Sequence, residues 1–93
     1  MKKIISIVGA RPNFIKLSAI AHDLNLYFNH VVIHTGQHYS SSLSMDIFED
    51  LKMIKPKYIL KVASQNQIEQ IGKMIIALGT VLVKERPNLV IVY

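Results

Sequence analysis

Apolar positions in this chain alternate between short continuous runs and helically spaced stripes. Ile4 to Val8 is a β-branched, nearly unbroken apolar run, which suits a strand buried on both faces. The cluster Gly9-Ala10-Arg11-Pro12-Asn13 breaks it. Leu17, Ile20, Ala21 and Leu24 then recur at helical spacing, which predicts an amphipathic helix from Phe14 to about Leu26. Pro12 as first helical residue or Asn13 as N-cap can open it. Val31-Val32-Ile33 reads as a second strand, beginning near His30, and residues 35–42 as a polar loop. Leu43, Ile47, Phe48 and Leu51 share one face of a short helix that Ser42 or Ser44 can cap. Tyr58 to Val62 is a third strand, less apolar and so nearer a sheet edge.

Asn66 followed by Glu69 has the spacing of a capping box, with Asn in place of Ser or Thr. Behind it, Ile68, Ile71, Ile75, Leu78 and Leu82 form the cleanest helical stripe in the sequence, ended by Arg86-Pro87. Leu89 to Tyr93 is a fourth strand, inside which the sequence ends. The order β-α-β-α-β-α-β predicts an α/β fold, a Rossmann-like parallel sheet with helices on both faces. The strands are expected near 3–8, 30–35, 58–62 and 88–93, in the spatial order 3-2-1-4. Residues 1–93 read as a single unit, with no internal repeat or linker.

Composition narrows the class. In 93 residues, 51% are hydrophobic and 18% charged, which excludes a disordered tail. Gly 4 and Pro 3 exclude a collagen-like chain, and Cys 0 excludes disulfides, thiolate metal sites and a cysteine nucleophile. So much apolar content in so short a chain suggests burial against something outside it. The N-terminal apolar run is too short for a signal-peptide core or a membrane span, so a cytoplasmic protein with no membrane partner is expected. The net charge of +5 favours anionic partners. Its lysines are dispersed, however, and lack the aromatic-basic stripe of a nucleic-acid module, so no nucleic-acid partner is expected.

Ligands of open parallel sheets bind beyond the carboxyl ends of the strands. Three loops leave those ends. In the first, Gly9 permits a close backbone approach, Arg11 sits at the mouth and Lys16 lies in the next helix's first turn. A helix N-terminus with an arginine fork and a mobile lysine is an anion cradle. The same residues also read as a solvated loop arginine and a helix-face lysine. The loop is neither a Walker A loop nor G-x-G-x-x-G, so ATP or NAD has little support. In the second loop His38 could serve as a general acid/base or hydrogen-bond a phosphate or sugar, or be merely solvated. His34 and His38 lie four apart, but across a strand-to-loop break rather than on a helix. His22 and His30 have no ligand-spaced companions, so no metal is expected. The third loop, Ser64-Gln65-Asn66-Gln67, is polar and reads best as a cap and a surface turn.

Gly9-Ala10-Arg11-Pro12-Asn13-Phe14-Ile15-Lys16 resembles the opening signature of the non-hydrolysing UDP-N-acetylglucosamine 2-epimerases. His34-Thr35-Gly36-Gln37-His38-Tyr39 resembles that family's second motif. Asp46-Ile47-Phe48, Glu69-Gln70 and the run Lys84 to Tyr93 fit as well. The resemblance implies the N-terminal part of a GT-B type fold, whose two Rossmann-like domains enclose the active site. It implies interconversion of UDP-GlcNAc and UDP-ManNAc by elimination and re-addition of UDP, without NAD or any other cofactor and without a metal. It assigns substrate binding to Gly9, Arg11, Pro12 and Lys16, and the departing diphosphate to Arg11 and Lys16. It makes Gln37 and His38 candidates for a second nucleotide-sugar site.

Two departures from the family pattern matter. The family's final strand continues into Gly-Asp-Thr, whose aspartate is a candidate acid/base, and further carboxylates follow. None of the six acidic residues here lies in a mouth loop, so no catalytic residue is expected within residues 1–93. The third loop also lacks the family's glycines and histidine. The chain then reads as a UDP-sugar-binding segment, inactive alone, from a split, truncated or shortened gene. Alternatives are a segment of a hydrolysing 2-epimerase, which releases ManNAc, or a non-catalytic anion-binding or interaction module. The apolar last strand at a sheet edge implies a homo-oligomer or a complementing C-terminal portion.

Overall fold

The computed structural model describes residues 2–9, 11–36, 56–60 and 66–93, and for Arg11 the backbone alone. The elements are β1 (Lys3–Val8), α1 (Arg11–Tyr27), β2 (Asn29–His34), β3 (Tyr58–Ile59), α2 (Gln67–Glu85) and β4 (Leu89–Val92). All strand pairs are parallel and the order is β3-β2-β1-β4. This is the expected 3-2-1-4 arrangement. The short helix expected around Leu43 to Leu51 lies outside the described residues.

β1 is the inner strand between β2 and β4 and carries a core on each face. Alternation along a strand sends Ile4, Ser6 and Val8 one way and Lys3, Ile5 and Ile7 the other. Ile4 and Val8 join Val32 of β2 beneath Phe14, Leu17, Ala21 and Leu24 of α1. Ile5 joins Val31 and Ile33 beneath Val81 of α2. The two helices therefore cover opposite faces, as the apolar run of β1 requires.

The structure refines the sequence expectation at α1, β3 and α2. α1 begins at Arg11, three residues before Phe14. Pro12 is then its second residue and Asn13 is inside it. β3 is Tyr58–Ile59, on the sheet's outer edge and paired with β2, and residues 61–62 of the expected strand lie outside the described residues. On α2, Ile68, Ile71 and Ile75 of the expected stripe are exposed, whereas Leu78 and Leu82 pack on the core beside buried Val81, and Glu85 is buried. Only the C-terminal half of this helix lies against the sheet. Its ends conform to expectation. The Asn66 side chain accepts from the Glu69 N–H at 2.7 Å. Arg86, in the left-handed region at φ 49°, closes the helix by donating its N–H to the Leu82 carbonyl.

One buried carboxylate ties together segments distant in the chain. Glu85 accepts from Lys3 Nζ at 2.8 Å, from Lys57 Nζ at 2.9 Å and from the Tyr58 hydroxyl. Lys3 Nζ also reaches the Glu85 carbonyl at 3.0 Å. The starts of β1 and β3 are thus joined to the end of α2, at the amino-terminal edge of the sheet. These donors, Lys3 foremost, hold the Glu85 carboxyl well below the ordinary value of 4.5, at about 2. The hydrogen bond to Glu85 in turn pushes the Tyr58 phenol up.

A carboxyl whose folded pKa is depressed stabilises the fold above its unfolded pKa and loses that contribution as pH falls through the folded value. Stability is therefore expected to decline between about pH 4.5 and pH 2. Glu85→Gln should lower the melting temperature at pH 7 and flatten the decline in that window. Thermal unfolding followed by circular dichroism at pH 7, 4 and 2.5 measures both effects.

Candidate functional site

The mouths of β1 and β2 lie side by side, since Val8 is paired with His34. The ladder continues one residue further, the Thr35 N–H donating to the Val8 carbonyl at 2.9 Å. Two contacts hold the loops in place. The Asn13 side chain reaches back from the first turn of α1 and accepts from the Gly9 N–H at 3.0 Å. Phe14 packs against His34, with ring centroids 5.2 Å apart and the planes tilted by 51°. The first turn of α1 is thereby fastened to both strand ends.

His34 is buried and serves this frame. Its Nδ1 accepts from the Gly36 N–H at 2.9 Å, so neutral His34 carries its proton on Nε2. Burial pushes its pKa down, which keeps it neutral at pH 7. Gly36 follows with φ 82°, a conformation natural to glycine, and turns the chain at the mouth of β2.

Gly9 is buried at the end of β1, and its N–H is already committed to Asn13. Its contribution is therefore close approach rather than a free donor. Arg11 is the first residue of α1. Pro12 and Lys16 are both exposed. Because α1 starts at Arg11, Lys16 falls in its second turn, not its first. Helical side chains lean toward the N-terminus, so the lysine stem points back toward the mouth. No acidic residue stands in the first turn of α1, so its positive dipole end is not neutralised there. Gln37 and His38 lie outside the described residues.

Sequence reasoning missed three residues of this frame. Asn13 reads in the sequence as a possible cap and Phe14 as the first residue of the helix. Thr35 was not singled out, yet its hydroxyl is buried and has no hydrogen-bonding partner among the described residues. Buried hydroxyls are normally satisfied, so the mouth of β2 offers an uncommitted polar group. A threonine opening a polar loop looks like any loop residue, and only the tertiary placement distinguishes it.

A second polar chain lies beneath α1. Ser6 Oγ is 2.7 Å from His30 Nε2 and 3.0 Å from the Tyr93 hydroxyl, and His30 Nδ1 is 2.7 Å from Asn25 Oδ1. The Asn25 carbonyl oxygen can only accept, so His30 donates from Nδ1 and accepts from Ser6 at Nε2, and Tyr93 donates to Ser6. The spacing is that of a nucleophile relay, but Ser6 is 0% exposed, which leaves no access for a substrate. The chain pins β4 to β1. Among the described residues no three His, Asp or Glu cluster to hold a metal.

A parallel sheet with helices on both faces, a helix N-terminus at the central strand's mouth and a glycine turn beside it define a Rossmann-like unit. Residues 21–93 match the sequence profile of the family described as UDP-N-acetylglucosamine 2-epimerase. The chain belongs to this family. It is 41% identical over 91 residues to a UDP-N-acetylglucosamine 2-epimerase homolog of Methanococcus maripaludis, covering 98% of this chain and 26% of the relative. It is 36% identical to the UDP-2,3-diacetamido-2,3-dideoxy-D-glucuronate 2-epimerase of Pseudomonas aeruginosa, covering 98% and 26%. The crystal structure of the Methanocaldococcus jannaschii UDP-GlcNAc 2-epimerase, in complex with UDP-GlcNAc and UDP, superposes with a TM-score of 0.87. It is 43% identical and covers 97% of this chain and 25% of that one. The chain thus spans about a quarter of the length of its relatives, and its fold is the opening part of their GT-B type fold.

If the Asn13 staple shapes the mouth, Asn13→Ala should leave the Gly9 N–H unsatisfied and cost about 1–3 kcal/mol. Asn13→Asp keeps an acceptor in place and should cost less. Urea unfolding of the two variants at pH 7 compares them.

Proposed function

We propose that this chain is the N-terminal UDP-sugar-binding segment of a UDP-GlcNAc 2-epimerase, inactive as 93 residues alone. The observation that carries the reading is the open N-terminus of α1 against the mouth of β1, with Arg11 and Lys16 on its first two turns and no opposing carboxylate in the first. A pyrophosphate there would accept hydrogen bonds from the helix amides, from the arginine fork and from the lysine. As the glycosidic C–O bond to the diphosphate breaks, negative charge grows on the departing oxygen, and fixed positive groups at that place stabilise it. The bound UDP-GlcNAc and UDP of the similar archaeal structure support the ligand class.

The catalytic carboxylates would come from outside residues 1–93, and with them the choice between re-adding UDP and releasing ManNAc by hydrolysis. Residues 1–93 form one partial domain in this reading. β4 lies at the sheet edge with Leu89 and Val92 exposed, and doubly wound sheets continue beyond their fourth strand in this order. A complementing C-terminal portion is therefore the natural neighbour of that edge. Among the described residues no helix is long and apolar enough to cross a membrane. We place the protein in the cytoplasm, acting on a UDP-sugar.

Isothermal titration of the 93-residue chain with UDP tests the site. Arg11→Ala should remove charge-assisted hydrogen bonds worth about 1.5–3 kcal/mol each, a loss of roughly 10- to 100-fold in affinity. Lys16→Ala should weaken binding less and reduce its salt dependence. Unchanged affinity in both variants rejects the assignment.

A further inference from the structure

The side chain of His34 is buried at the end of β2 and meets two parts of the mouth. One contact is with the Phe14 ring, from the first turn of α1. The other is the hydrogen bond in which Nδ1 accepts from the Gly36 N–H at 2.9 Å. That bond closes a tight turn, with Gly36 at φ 82°. The backbone just before the turn is held differently. The Thr35 N–H donates to the Val8 carbonyl at 2.9 Å, and the Leu60 N–H to the His34 carbonyl at 2.8 Å. Neither of those bonds involves an ionisable group. The sheet therefore ends on backbone pairing at Thr35, and the next amide depends on one imidazole nitrogen.

That nitrogen accepts only while the ring is neutral. In the imidazolium both nitrogens carry protons, and an Nδ1–H would face the Gly36 N–H, donor against donor. The described neighbours offer no counter-charge. Across the sheet His34 is paired with Val8 of β1 and Ile59 of β3, and α1 contributes Phe14. The ionisable residues in the first two turns of α1 are Arg11 and Lys16, both cations. The other ionisable residue of β2 is His30, four positions back on the same face.

We propose that His34 is a pH-operated latch on the mouth of β2. Neutral, it holds the Gly36 turn against the end of the sheet. Protonated, it releases that turn, while the ladder through Thr35 and the rest of the fold stay in place. Burial lowers the pKa of His34 below the ordinary 6.5, so the latch is closed at pH 7 and opens as pH falls through the lowered value. The Glu85 clamp lies at the opposite edge of the sheet and titrates at about 2. Because Val8 and His34 are paired, the released turn lies beside the mouth of β1. The latch rests on His34 and Gly36 alone and is independent of the nucleotide reading.

Nitrogen-15 labelling of glycine alone gives four amide signals, from Gly9, Gly36, Gly72 and Gly79. Gly36 reports the latch, Gly9 the Asn13 staple, and Gly72 and Gly79 the body of α2. The carbon-bound ring protons of His34 and His30 follow their titrations in the same samples. Hydrogen-exchange protection at Gly36 should fall roughly tenfold between one pH unit above and one below the pKa of His34. The other three glycines should stay protected over that range. His34→Asn places an amide oxygen near the position of Nδ1 that does not titrate, and should keep Gly36 protected throughout. Should that variant fail to fold, the titration of the parent chain decides by itself. Protection at Gly36 that persists while His34 titrates overturns the proposal. So does a common loss at all four glycines, which would make the event global unfolding. A Gly36 transition that follows the ring of His30, or survives in His34→Asn, overturns it as well.

Discussion

Everything in this chain is arranged around the need of β1 to satisfy both its edges and both its faces. Its amides and carbonyls pair with β2 on one side and β4 on the other, and its side chains alternate between two cores. A strand so placed is mostly apolar, its buried Ser6 being hydrogen-bonded to His30 and Tyr93, and each face needs its own helix. That requirement sends α1 and α2 to opposite sides. It also puts the end of β1 at the centre of the sheet, where the start of α1 meets the end of β2.

Polar groups inside this frame are used as fasteners, and they sit at opposite ends of the sheet. At the amino-terminal edge, Glu85 gathers Lys3, Lys57 and Tyr58, adding charged bonds between three segments that also meet in the core beneath α2. Beneath α1, Ser6 joins His30 to Tyr93 and thereby β2 to the end of β4. At the carboxyl-terminal edge, Asn13 and the Phe14–His34 contact shape the mouth. Buried polar groups are costly unless paired, so each fastener also selects the register in which its partners meet. Burial pushes both His30 and His34 toward the neutral form that their hydrogen bonds require.

The apolar surface left over is as informative as the core. α1 and β2 enclose one side of β1 well, whereas α2 meets the sheet mainly through its C-terminal half. The exposed isoleucines of α2 and the edge of β4 are two separate exposures, on different elements.

The order of the described elements, the parallel sheet and the capping of α2 were legible in the residues, because periods of two and 3.6 and breaker residues are local properties. The motifs around Gly9 and His34 were legible for the same reason, as short runs whose chemistry needs no distant partner to be recognised. What only the tertiary structure decided is which of several helical stripes faces the sheet. The Ile68-Ile71-Ile75-Leu78-Leu82 stripe reads as core by periodicity, yet only Leu78 and Leu82 pack on the sheet core, beside Val81, while the three isoleucines are exposed. The tertiary structure also turned Glu85, Ser6, Asn13 and Thr35 from ordinary polar residues into a clamp, a junction, a staple and an uncommitted hydroxyl. Hydrophobic pattern carries direction within one element, while a hydrogen bond between residues eighty positions apart exists only once the sheet has chosen its neighbours.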